Sequence, residues 1–447
     1  MSTPFDPAPF RARRARVLEH MQKHGGGVAL VATAPERMRN RETAYAYRFD
    51  SYFHYLTGFA EPQATLVLIA DNNNPRSILF CREKNAERET WEGFRFGPEA
   101  AAAQFAFDEA YACNELAERL PALIAGGQPL WCAFGHEDEA SGFEALCAAL
   151  IAVRRNGRAG WCAPATLHDI RHLLDEMRLI KDDAELALMR RAGAIARDAH
   201  IRAMRATRPG RYEFEIEAEL LHAFRAAGAT GPAYTSIVAS GANACTLHYV
   251  ANDRQMHAGE LLLIDAGCEL DGYASDITRT FPVSGRFSPA QRAIYELVLA
   301  MQHAAARATR PGASFDAPHE AAVDTLIDGL MDLKLLTGSR AEIVDTKRWQ
   351  RFYMHRTGHW LGRDVHDVGA YRPHDAPRTL AVGMTLTIEP GCYIRAAADI
   401  DPAFHDIGIR IEDDALVTPD GCQLYTADTP KTVAEIETLM QSAQPTS

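Results

Sequence analysis

Up to about residue 175 the chain alternates short apolar runs with stretches of helical periodicity. The runs at 28–32, 64–70, 77–81 and 129–134 are mostly apolar and of strand length. Between them, 98–105 and 142–154 carry apolar residues at helical spacing. Alternating strands and helices predict an α/β layer domain over residues 1–175. The pattern switches at 167–181, which reads as an interdomain connector, and 176–447 forms a second domain.

That second domain opens on a long helical pattern. Asp182 and Asp183 offer N-cap oxygens, and Leu186, Met189, Ala192, Ala196 and Ala199 fall on one face. Arg205-Ala206-Thr207-Arg208-Pro209-Gly210 ends it, because Pro and Gly do not continue a helix. Another helix is expected over 213–227. The pattern then repeats. Ser288-Pro289 reads as an N-cap with Pro in the first turn, and Arg307-Ala308-Thr309-Arg310-Pro311-Gly312 closes that helix with the same six residues. Chance in an Ala- and Arg-rich stretch is the plain alternative. The stronger reading is two similar α/β halves with a ligand site where they meet.

Two β-like runs within 260–281 flank a turn near Leu270-Asp271-Gly272 and predict an antiparallel hairpin. A turn at 270–271 sets Asp265 directly opposite Asp276. A turn at 271–272 makes them diagonal neighbours. Either way the two carboxylates share a face, where like charges destabilise a ladder. A shared proton, the nearby Arg279 or a multivalent cation would neutralise them. Glu389 ends another apolar run, 384–388, and Glu412 sits in Gly408-Ile409-Arg410-Ile411-Glu412-Asp413. Between Asp276 and Glu389 lies His355-Arg356-Thr357-Gly358-His359-Trp360-Leu361-Gly362, whose glycines fit a loop beside a site. Four carboxylates and one imidazole make a hard ligand set that suits manganese or a similar divalent ion. Four negative charges match two such ions, and the pattern points to metal-assisted hydrolysis.

Composition narrows the class. Of 447 residues, 47% are hydrophobic and 24% charged, so the chain is globular rather than disordered or fibrous. The formal net charge of −12 disfavours nucleic acid and anionic membrane as partners. The apolar runs are far shorter than a membrane span, and the Arg- and Pro-bearing N-terminus lacks the apolar stretch of a secretory signal. Nine scattered cysteines without a Cys-x-x-Cys pair fit a reducing compartment, so a cytoplasmic protein is expected.

The motifs together resemble the pita-bread metallopeptidases, most closely the bacterial type of Xaa-Pro aminopeptidase. The resemblance rests on Ser240-Gly241-Ala242-Asn243, Leu247-His248-Tyr249, Leu263-Ile264-Asp265-Ala266-Gly267 and Asp276-Ile277-Thr278-Arg279-Thr280-Phe281-Pro282. It continues through Gly358-His359-Trp360-Leu361-Gly362, Val365-His366-Asp367-Val368-Gly369, Ile388-Glu389-Pro390-Gly391 and the 408–413 segment. Arg39-Asn40, Tyr45, Tyr47-Arg48, Tyr55-Leu56-Thr57-Gly58-Phe59 and Glu61-Pro62 extend it through the first domain.

The resemblance implies an α/β (α+β) protein: a creatinase/prolidase-like domain at 1–175 and a pita-bread catalytic domain with pseudo-two-fold halves at 176–447. It implies two divalent metal ions, manganese first, with cobalt and zinc also tolerated. Asp265 would chelate one ion, Asp276 and Glu412 would bridge both, and His359 and Glu389 would complete the other. Glu389 would also be the general base. His248 and His366 would hold the substrate near the scissile carbonyl and stabilise its developing charge. His355 would line the proline-side pocket, and Arg410 would orient carboxylates. Trp91 would approach a neighbouring subunit's site, a buried aromatic being the plain alternative. The implied reaction releases the N-terminal residue from peptides with proline second, by a homo-oligomer (dimer or tetramer). Prolidase action on dipeptides and a non-catalytic binding module are the rivals. Organophosphate hydrolysis could coexist as a side activity. At Glu42 the family often has Asp, so peptide-length preference stays open.

Overall fold

The computed structural model describes residues 5–133 and 143–442. The chain divides into two compact units, Met1–Asp175 and Glu176–Ser447.

The first unit is built on a mixed six-stranded sheet. Its strands are β1 (Gly27–Ala32), β2 (Thr65–Ala70), β3 (Arg76–Cys81), β4 (Glu109–Ala112), β5 (Leu130–Cys132) and β6 (Leu167–Asp169), in the order β4-β3-β2-β1-β5-β6. β1 pairs antiparallel with β2 and parallel with β5, so its neighbours on both sides are strands. That central position explains its unbroken apolar run. Val28, Leu30, Val67, Ile78 and Phe80 pack with Leu120, Leu146 and Val153 of the covering helices. Phe134 and Gly142, the ends of two expected elements, lie outside the described residues. The 167–181 stretch contains the boundary between the two units and holds β6 and the helix Arg171–Leu179.

The second unit has four long helices, Asp183–Ala206, Glu213–Ala226, Pro289–Ala308 and Ala317–Asp332. Asp182 caps the first, accepting from the Glu185 amide at 2.9 Å, and Ser288 caps the third, accepting from the Gln291 amide at 3.3 Å. The sequence echo is structural. Thr207 and Thr309 each turn the hydroxyl back to the carbonyl four residues earlier, at 2.8 and 2.9 Å. Gly210 and Gly312 then follow with φ of 90° and 82°.

The strands of this unit are β7 (Gly231–Pro232), β8 (Ile237–Ser240), β9 (Leu261–Asp265), β10 (Cys268–Leu270), β11 (Tyr273–Ala274), β12 (Thr278–Pro282), β13 (Thr385–Ile388), β14 (Gly391–Ile394), β15 (Ile407–Arg410), β16 (Asp413–Thr418) and β17 (Gly421–Leu424). Two long hairpins dominate, each interrupted halfway. In the first, β9-β10 returns as β11-β12 through a turn at Asp271-Gly272, whose φ values are 51° and 76°. This is the turn that makes Asp265 and Asp276 diagonal, since Asp265 pairs with Thr278. At the interruption, a Cβ on Gly267 would lie 1.6 Å from the Ser275 carbonyl oxygen. In the second hairpin, β13-β14 faces β15-β16, with Ile388 opposite Asp413 and Gly391 opposite Arg410. Its interruption falls at Glu389-Pro390 and Ile411-Glu412. The Glu412 amide donates to the Thr278 carbonyl at 3.1 Å and ties the hairpins together. The helices bury Ala192, Ile216, Ile294 and Leu326 against Leu262, Ile264, Phe281, Ile388 and Ile409.

Candidate metal centre

The hairpin interruptions explain where the carboxylates go. A strand side chain points alternately to opposite faces. Leu262 and Ile264 face the helices, while Leu263 joins a small cluster with Ala239 and Tyr393 on the other face. Asp265 shares that second face. Thr278, its cross-strand partner, shares it too, and Arg279 pairs with Ile264 on the helix side. Arg279 therefore does not neutralise the Asp265–Asp276 couple. It is fully buried and donates to Asp413 Oδ1 at 2.8 Å and to the Thr429 carbonyl at 3.0 Å. The guanidinium that reaches the couple is Arg410, whose Nη2 donates to Asp265 Oδ2 at 2.7 Å.

Asp265, Asp276, Glu389, Glu412 and His359 all line one cavity of about 710 Å³, together with His248, His355, His366 and Arg410. Asp276, His359 and Glu412 each place a ligand atom within 4.8 Å of the others, so one ion could sit among them. His359 Nε2 lies 3.5 Å from Asp276 Oδ2 and 3.7 Å from Glu389 Oε1. Its Nδ1 is 3.0 Å from the Trp360 carbonyl, which can only accept. Nδ1 therefore carries the proton, and the Nε2 lone pair is turned to the carboxylates, as a metal-ligating histidine requires. The Thr387 amide donates to the His359 carbonyl at 2.9 Å, holding that segment beside β13. A Cβ on Gly358 would lie 2.1 Å from the Thr387 carbonyl, so this approach depends on glycine.

Burial and mutual repulsion raise the carboxylates' proton affinity. Asp276 is pushed well above the usual carboxylate range by burial, then by Asp265 and Asp414. Glu412 is pushed well above it by burial, then by Asp276 and Glu389. Burial also raises Glu389. A dense group of buried acids that repel one another is the donor chemistry of a divalent cation site.

Hydrogen bonds orient these acids. Thr278 Oγ1 donates to Glu412 Oε2 at 2.6 Å. Tyr234 Oη contacts Asp265 Oδ1 at 2.6 Å and also Asp276 Oδ1. Arg410 Nη1 donates to Tyr393 Oη at 3.0 Å, and that hydroxyl lies 2.9 Å from His355 Nε2. His355 Nδ1 donates to the Arg356 carbonyl at 2.7 Å. Burial, then Arg410, holds the His355 pKa down at about 3, so the ring is neutral. Burial likewise lowers His366, whose ring centroid is 4.2 Å from that of His359.

Tyr234 and Tyr393 escape a reading of the sequence alone, because neither belongs to a patterned motif. Thr278 carried a signal: it is two residues after Asp276, and strand alternation sets it on the same face. Trp91 lies in the first unit on the helix Ala86–Glu92 and is 83% exposed, so it is not a core aromatic.

Comparison with known proteins converges on one family. Metallopeptidase family M24 matches residues 187–419, and the aminopeptidase P N-terminal domain matches residues 10–131. The Xaa-Pro aminopeptidase of Haemophilus influenzae is 43% identical over 96% of this chain and 96% of its own length. The structure of Pseudomonas aeruginosa aminopeptidase PepP superposes with a TM-score of 0.94 at 44% identity, covering 97% of this chain and 98% of that one. An Escherichia coli aminopeptidase P variant in complex with substrate superposes with a TM-score of 0.95 at 42% identity, over 99% of both chains. The matched family, the near-complete coverage and the interrupted-hairpin pita-bread fold together establish that the chain belongs to metallopeptidase family M24, among the Xaa-Pro aminopeptidases.

Proposed function

We propose that the chain removes the N-terminal residue from peptides with proline in second position, using two divalent ions held by Asp265, Asp276, His359, Glu389 and Glu412. The observation that carries this reading is the convergence of four carboxylates on one cavity, with the His359 Nε2 lone pair turned to them. Relatives matching over nearly the whole chain are named Xaa-Pro aminopeptidases, which favours peptides over the dipeptides of a prolidase. Manganese is the proposed ion, since oxygen donors dominate the set.

The ions, when bound, supply Lewis-acid polarisation of the scissile carbonyl and acidify a water. The protein's own groups do the rest. Glu389 takes the proton of the attacking water and returns it to the proline nitrogen. That nitrogen has no hydrogen of its own, so it leaves only when protonated. His366 and His248 face the cavity and donate to the oxygen on which charge develops. Arg410 and Tyr234 hold Asp265 in place. His355 bounds the proline side through its contact with Tyr393.

Two finer proposals accompany this. All nine cysteines are free, which fits a reducing cytoplasm, and no helix among the described residues is long and apolar enough to cross a membrane. Trp91 and Phe94, 83% and 65% exposed, are the surface aromatics we assign to a homo-oligomer contact (dimer or tetramer), which light scattering would test. For the activity itself, Arg-Pro-Pro and Ala-Pro are offered to chelator-stripped and manganese-reloaded enzyme. Metal-restored release of arginine supports the proposal. Cleavage of the dipeptide alone would make the chain a prolidase. Cleavage of neither by folded, metal-loaded protein would sink both readings.

A further inference from the structure

One wall of the same cavity has charges that the chemistry above leaves unused. Arg356 and Arg372 both line it and both share a single acid, Asp316. Arg356 Nη2 donates to Asp316 Oδ1, and Arg372 Nη1 donates to Asp316 Oδ2 at 3.0 Å. The Arg356 and Arg372 side chains are 54% and 57% exposed, while the Asp316 side chain is only 20% exposed. Neither arginine ion-pairs with another carboxylate among the described residues. One carboxylate balances one of two cations, so a unit of positive charge remains at the mouth. Each guanidinium also keeps N–H donors that Asp316 does not engage. The protein as a whole is acidic, with a net charge of −12. Deeper in the cavity, Arg410 is already committed to Asp265.

From this we infer that Arg356 and Arg372 form a carboxylate-reading subsite, which makes the enzyme prefer peptides bearing a negative charge downstream of the proline. The inference rests on the proposed aminopeptidase reading. That reading puts the proline beside His355, and Arg356 is the next residue. The negative group is either the C-terminal carboxylate of a short peptide or an acidic side chain after the proline. Both present the same planar acceptor to a guanidinium fork. Asp316 acts as a spacer: it holds the two forks side by side and competes weakly with the incoming carboxylate. Half-exposed ion pairs are modest in water, so the preference is about two- to fivefold in kcat/KM, weakened by salt and expressed in KM.

The test compares Ala-Pro-Ala amide, Ala-Pro-Ala free acid, Ala-Pro-Asp amide, Ala-Pro-Asn amide and Glu-Pro-Ala amide on the manganese-loaded full chain. The free acid should beat its amide if the terminus is read. The Asp peptide should beat the Asn peptide if a side chain is read. The double variant Arg356→Gln, Arg372→Gln should abolish either preference through KM and leave Ala-Pro-Ala amide unchanged. Asp316→Asn should enlarge the preference, a gain that a merely structural role would not produce. Equal kcat/KM for all peptides, or a preference that survives the double variant, would overturn the subsite and leave the aminopeptidase reading intact. A preference confined to Glu-Pro-Ala amide would overturn its downstream placement. An equal loss on charged and neutral peptides would show the arginines only shape the wall. No cleavage of Ala-Pro-Ala amide by wild type would instead strike the aminopeptidase reading itself.

Discussion

Loading the centre with metal should release protons. Asp276 is 4% exposed and Glu412 is 2% exposed. Both are pushed well above the usual carboxylate range, by burial first and neighbouring acids second. Metal ligands must be deprotonated, so binding expels whatever protons these two hold. Each proton so displaced tightens the apparent affinity about tenfold per pH unit, or about 1.4 kcal/mol. Calorimetric titration of manganese into stripped protein at several pH values from about 4 upward, in buffers of different ionisation enthalpy, counts those protons directly. Asp276→Asn should lower the count. A count near zero at every pH in the wild type would refute the argument that repulsion among these acids is relieved by metal.

The same logic fixes a sign for stability. A carboxyl whose folded pKa is raised binds more protons folded than unfolded. Stripped protein should therefore lose stability as pH rises from about 4 through the folded values, by up to about 2.7 kcal/mol per unit for two such groups. Metal should remove this loss, because the bound ion replaces the protons. Denaturant melts with and without manganese at several pH values read both slopes. Parallel slopes would count against the assignment as firmly as an absent proton release.

Three other outcomes are expected. Glu389→Gln should lower kcat by about 10²–10⁴-fold, with circular dichroism unchanged, because it removes the proton carrier and keeps the shape. Asp367 is buried, is ion-paired with Arg178 and Lys181 (the latter at 2.9 Å), and is held below its usual range by those cations against burial. Asp367→Ala should cost about 3–5 kcal/mol and lower Tm by about 10 °C, which a thermal melt reads directly. His200 is fully buried, lies 3.0 Å from the Ala266 carbonyl, and is lowered by burial to about 4. The unfolded chain binds its proton first, so stability falls as pH drops from about 6.5 to 4, by about 3 kcal/mol. His200→Gln should flatten that limb of the stability–pH curve.

How much of this was legible in the sequence depends on how local the governing physics is. The strands of the first unit follow from apolar runs, and the long helices from caps and periodicity. The six-residue echo at Arg205 and Arg307 carries through to the same threonine back-bond and the same glycine turn. The register of the first hairpin was open between two turns. Asp271-Gly272 with positive φ at both positions decides it, as hairpin twist prefers. The stretch at 167–181 shows in the sequence as a change of pattern, while its short strand and helix lack the length to stand out.

The partner of the Asp265–Asp276 couple shows why nearness along the chain is a poor guide to charge pairing. Arg279 is three residues from Asp276, yet alternation turns it to the helix face, where Asp413 and the 429–430 carbonyls await it. Arg410 is far away in sequence and belongs to the other hairpin. It reaches Asp265 because Glu412 and Thr278 lock the hairpins together through a backbone bond. Tyr234 and the Asp316–Arg356–Arg372 wall are of the same kind: each joins segments that no periodicity relates. The carboxylates stood out because acids at the ends of buried strands violate a local rule. Their partners obey no local rule, since strand pairing and loop packing select them after the chain has folded. The sequence therefore exposes the acids that an ion would hold, while the groups that aim those acids and sort the substrates appear only in three dimensions.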